Sequence, residues 1–173
     1  MLNELALKEP VIALLKIKLH LLIISATIAE REDAMKIEKV INSDIELIET
    51  WKKDITSDEL LTRIDFEIAF CKTKLYYHMK RDYKDNDHDL MRQGANMLSV
   101  FQNKCLSILK SLPTSDCEVE QAKLALLMCD SMEVIPLDIY KDRLLEAIKV
   151  FEAYNCKKLS LRAHLNVVRM YLR

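Results

Sequence analysis

Apolar residues recur at intervals of three and four over most of this chain, the spacing of one face of an α-helix. Ala34, Ile37, Ile41, Ile45, Ile48, Trp51 and Ile55 predict one helix over about 32–54. Ser43 and Glu46 have the spacing of a capping box, but the uninterrupted row favours a single helix. Leu60, Ile64, Ile68, Cys71, Leu75 and Met79 form a third helix, and Met91, Ala95, Leu98, Phe101, Cys105, Ile108 and Leu112 a fourth, over about 88–112. Shorter rows follow: Val119, Ala122, Leu126 and Cys129; then Tyr140, Leu144, Ala147, Ile148 and Phe151; then Leu161, Leu165, Val168, Met170 and Tyr171. Each row is expected to face inward. The first segment, Val11 to Ala29, is apolar on nearly every side, which predicts a central helix packed between layers. Its length suits a membrane span, but Lys16, Lys18 and His20 argue against one, since charge near a bilayer centre is costly.

Punctuation agrees with the periodicity. Pro10 suits a first helical turn, where its missing N–H costs nothing. Thr56 with Glu59, and Ser115 with Glu118, have capping-box spacing. Pro113 ends the fourth segment, Pro136 and Asp138 open the sixth, and Asn155 to Lys158 form a short turn before the seventh. Short connections make sequential helices antiparallel neighbours. The expected fold is all-α: about seven antiparallel helices in a helical-hairpin stack, one domain over 1–173, with long helices over about 10–112 and shorter ones over about 116–173.

Composition sharpens this in two ways. The single glycine, Gly94, leaves no phosphate-cradling loop and no nucleophile elbow, because each motif needs more than one. Its place inside a helix costs about 1 kcal/mol against alanine, which points to close approach of another helix. Five cysteines without a CxxC pair, and no secretory leader pattern, read as reduced thiols of an intracellular protein, cytoplasmic or nuclear. The net charge of −1 hides an uneven distribution. Residues 29–67 are acidic, whereas Lys157, Lys158, Arg162, Arg169 and Arg173 share the last segment with no acid.

The last third resembles tetratricopeptide-type helical repeats. Ala147 to Tyr154 looks like the second helix of a repeat and Ser160 to Tyr171 like the first of the next, with small and large residues placed to interlock. The resemblance covers about 118–173 and lacks the family's tryptophan and leucine–glycine pair. It implies a scaffold or adaptor whose groove binds a peptide or helix. The alternately apolar and basic last helix is expected to dock back, to continue into a longer solenoid, or to self-associate. Candidate partner-binding residues are Lys157, Lys158, Arg162, Arg169 and Tyr171.

Catalytic chemistry finds no foothold. Asp85 to Asp89 begins like a calcium loop, but Leu90 replaces the glycine and Asn96 the closing glutamate, so its aspartates read as helix caps. No Glu-x-x-His pair supports a di-iron bundle, and Cys71 with His78 gives two zinc ligands at most. No catalytic residue, metal or cofactor is assigned. The alternative to an adaptor is a nucleic-acid-associated regulator using the basic C-terminal segment or stacking bases on Tyr76, Tyr77 and Tyr83 beside Lys72, Lys74, Lys80, Arg81 and Lys84.

Overall fold

The computed structural model describes residues 8–29, 34–82, 87–112, 117–130 and 137–172. Among the described residues are seven α-helices and no strand: α1 (Lys8–Ala29), α2 (Ala34–Lys52), α3 (Asp58–Asp82), α4 (His88–Ser111), α5 (Glu118–Asp130), α6 (Leu137–Ala153) and α7 (Lys157–Tyr171). The fold is all-α, and each helix lies where its apolar row places it. Pro113, Ser115 and Pro136 lie outside the described residues, as do Tyr83, Lys84, Asp85, Asn86 and Arg173. The chain forms two compact units, Met1–Lys104 and Cys105–Arg173.

In the first unit α1, α2 and α3 each pack against the other two. The core is built on isoleucine: Ile17, Ile24 and Ile28 from α1, Ile37, Ile41, Ile45 and Ile48 from α2, and Ile64 and Ile68 from α3, with Cys71 and Leu75. Burying each such side chain contributes about 1.5–3 kcal/mol. Polar ties hold the helices in register. Lys52 donates to Asp65 on α3 and pairs with Glu49 at 3.0 Å. Burial alone would lower the Lys52 pKa, but the two carboxylates hold it above its ordinary value. His20 bonds Asp44 on α2 at 3.1 Å and sets its ring edge-on to Trp51 at 4.9 Å.

Two local expectations shift. The third helix is capped by Ser57 rather than Thr56: Leu60 N–H donates to Ser57 Oγ at 3.3 Å, and Glu59 pairs with Arg63. The central helix is α3, not α1. Ile64, Ile68, Cys71 and Leu75 of α3 are buried, and so are Phe66, Ala69 and Phe70 on its other sides. By contrast α1 buries only one face. Gly94 behaves as its position suggests: a Cβ there would stand 2.8 Å from the Lys80 backbone nitrogen, so α3 and α4 touch backbone to backbone. Asp87 caps α4, accepting from the N–H groups of Asp89 and Leu90 at 3.0 Å.

The second unit repeats the plan on a smaller scale. Helices α5, α6 and α7 pack pairwise around Leu126, Cys129, Tyr140, Leu144, Ile148 and Phe151, with Ala122, Ala147 and Ala163 as the small residues between them. Helix α6 closes through Asn155, whose φ of 55° is left-handed, a conformation asparagine tolerates better than most residues. Cys156 N–H reaches Phe151 O at 2.7 Å and Asn155 N–H reaches Glu152 O at 3.1 Å. This paired closure leaves three residues before α7 begins.

Candidate interaction surface

Helix α7 packs with an unexpected face inward. Its buried residues are Ser160, Ala163, Asn166 and Met170, none more than 9% exposed. Leu161, Leu165, Val168 and Leu172, spaced four, three and four apart, are 51–78% exposed, and Tyr171 is 58% exposed. Of the row expected to face the core, only Met170 does so. The cause lies in what α7 must meet. Ala163 is fully buried in the same core cluster as Ala147 and Phe151, and Asn166 bonds a carboxylate on α5.

That carboxylate is Asp130, the last residue of α5, where the negative helix end disfavours a second negative charge. Asn166 Nδ2 donates to Asp130 Oδ1 at 2.8 Å, and Arg162 Nη2 pairs with Asp130 Oδ2 at 2.8 Å. Arg169 Nη1 in turn donates to Asn166 Oδ1 at 2.8 Å. Burial raises the Asp130 pKa above its ordinary value, although Asn166, Arg162 and Arg169 pull the other way. Burial, with Asp130 beside it, pushes the Cys129 thiol up to about 12, so this cysteine stays protonated near neutral pH.

The five candidate residues therefore divide. Arg162 and Arg169 serve the Asp130–Asn166 network, while Arg162 keeps 55% of its side chain exposed. Lys157, Lys158 and Tyr171 are exposed and take no part in it. At about 3.6 residues per turn, Lys158, Arg162 and Arg169 border one side of the exposed apolar row, and Lys157 and His164 the other. The helix carries no acid. The missed signal was in the sequence: a small-polar row, Ser160, Ala163, Asn166, opposite a leucine row.

The second unit also contains an open groove of about 790 Å³. Leu106, Leu109, Leu124, Met128, Ala147 and Val150 give it an apolar floor. Its rim has both signs, with Lys110, Arg143 and Lys149 beside Glu118 and Glu146. None of the five candidate residues lines it.

The tyrosine-rich patch is occupied by packing. Tyr76 is buried, stacks on Phe101 at 5.5 Å and donates its hydroxyl to Glu38 at 2.6 Å; burial and this bond raise its pKa. Lys72 lies over Phe101, Lys74 over Phe70 and Arg81 over Tyr77. Tyr76 is thus closed to a base. Among the described residues no group of three or more His, Cys, Asp or Glu is placed to hold a metal ion. The chain matches no family model, no curated protein and no solved structure.

Proposed function

We propose that this chain is a non-enzymatic protein–protein interaction module, a scaffold or adaptor, that captures an acidic amphipathic helix along the outer row of α7. One observation carries the reading: α7 exposes a continuous row of large apolar residues, Leu161, Leu165, Val168 and Leu172, while Ser160 and Asn166 are buried. The Asp130 network and the small-residue fit set which side of α7 packs inward, and they leave Leu161, Leu165, Val168 and Leu172 exposed as a row open to a partner. A narrow row with alternating spacings of four and three is the seam of a two-helix contact.

The borders specify the partner. Cations flank the seam on both sides and the helix has no acid, so a second copy would set like charges together. A helix with glutamate or aspartate beside its apolar row meets them favourably. The tetratricopeptide resemblance supports the same reading, since such repeats bury apolar faces by stacking helices.

The test is a titration with two monomeric helical peptides that share one leucine row, flanked by glutamate in one and by lysine in the other. The glutamate peptide is expected to bind, more weakly as salt rises, and the lysine peptide to bind at least tenfold more weakly, a difference of about 1.4 kcal/mol. Equal binding of both, or binding of neither, overturns the reading.

A further inference from the structure

We propose that the outer face of α1 is a docking surface for an anionic membrane, with the helix lying in the interface rather than crossing it. The face is wide. Val11, Ile12, Leu15, Leu19, Leu22 and Ile23 are 41–68% exposed. At about 3.6 residues per turn they cover roughly 120° of the helix circumference. Lys18 stands at one border of this arc and Lys16 at the other, both exposed, and no acid occurs between Pro10 and Ala29. With the opposite face taken up by the core, this exposed arc is the part of α1 that meets the interface: its leucines enter the acyl boundary, Lys18 reaches lipid phosphates, and Lys16, whose ammonium lies 5.6 Å from the centre of the Trp51 ring, turns from that ring to do the same.

The choice of occupant follows from width, charge and anchoring. A second copy would bring Lys16 and Lys18 against the same lysines, with no acid on the face to offset them. A single partner helix covers a narrow seam, not an arc this broad. By length and composition alone α1 is long and apolar enough to cross a membrane. Yet its other face holds Ile17, Ile24 and Ile28 in the core of the first unit, and His20 is bonded to Asp44. Crossing would break that core, whereas lying on the surface leaves it intact.

The experiment is cosedimentation of the full chain with phosphatidylcholine vesicles, with and without phosphatidylserine, at low and high salt. Pelleting with the anionic vesicles, release by high salt and little binding to neutral ones is the expected pattern. Replacing both lysines, Lys16→Gln with Lys18→Gln, should weaken anionic binding roughly 30-fold. Leu15→Glu with Leu19→Glu should abolish it, and both variants should keep the helical circular-dichroism signal because the four positions are exposed. Leu161→Glu with Leu165→Glu should pellet like the parent chain, which separates this surface from the α7 seam. No pelleting at low salt, or undiminished pelleting of the Leu15→Glu/Leu19→Glu chain, overturns the proposal. So does pelleting that survives high salt and alkaline carbonate, which would mean a spanning helix. A dimer in light scattering that Leu15→Glu/Leu19→Glu converts to monomer, without vesicle binding by the parent chain, would assign the face to a second copy instead.

Discussion

Helices α1 and α7 both expose a row of large apolar side chains, but they are held by opposite kinds of inner face. Helix α1 is anchored by Ile17, Ile24 and Ile28, so its exposed row is additional to a strong core face. Helix α7 is anchored by Ala163, Met170 and the polar pair Ser160 and Asn166, with Leu159 and Val167 half-buried beside them, while Leu161, Leu165, Val168 and Leu172 stay exposed. The first helix is apolar all round; the second is inverted. An exposed leucine row therefore has two meanings. Beside an isoleucine core it is not needed to hold the helix and is free to serve a surface, and opposite small and polar residues it shows that helix position was set by fit and by one buried carboxylate.

The comparison breaks most readily at the cores. Phe151→Ala in the second unit should cost about 3–5 kcal/mol and Ile24→Ala in the first about 2–5 kcal/mol, read from urea unfolding. The outward partners Leu165→Ala and Leu22→Ala should each stay within about 0.5 kcal/mol of the parent chain. If Leu165→Ala costs as much as Phe151→Ala, the inversion of α7 is wrong.

Next in size is Gly94→Ala, which sharpens the view of how the first unit closes. In a free helix the change would gain about 1 kcal/mol. Here the new Cβ meets backbone at 2.8 Å, so the expected result is a loss of about 1–3 kcal/mol in the same unfolding measurement. A gain would show that α3 and α4 stand further apart.

Asn166→Ala probes the polar anchor of α7. It removes one partner from Asp130 and another from Arg169, so a loss of about 1–3 kcal/mol is expected. A change near zero would leave small-residue fit as the whole explanation of α7's position.

The smallest effect is a pH dependence. Burial places native Asp130 above its ordinary value of 3.8, so the folded chain holds this proton more tightly than the unfolded one. The stability linked to this group should fall as pH rises from 3.8 through the raised native value, then level off. Asp130→Asn should remove that slope, seen as a changing difference between the two unfolding curves across mildly acidic pH. A difference that is flat with pH would mean that burial and the Arg162 contact cancel.

Most of the helical layout was legible in the sequence because it depends on local signals. Spacings of three and four located six of the segments and a near-continuous apolar run the first, and Gly94 pointed to a backbone contact through its cost in a helix. Errors arose where tertiary demands chose between faces. Periodicity shows that Leu161, Leu165 and Val168 share a side, but that side packs inward only if nothing else competes. The competitor was Asp130, thirty-six residues from Asn166 and invisible to any local pattern. Helix α1 was misread for a related reason: an all-apolar helix looks central, yet it need not be covered on every side. The cap at Ser57 moved by one residue because neighbouring Thr56 carries an equivalent hydroxyl.

We propose that the outer row of α7 serves a partner and not the fold. Its most direct test measures the stability and glutamate-peptide binding of Leu161→Glu/Leu165→Glu side by side. The expected result is an unfolding free energy within about 0.5 kcal/mol of the parent chain and loss of peptide binding. A stability loss comparable to that of Phe151→Ala, with peptide binding unchanged, would contradict it.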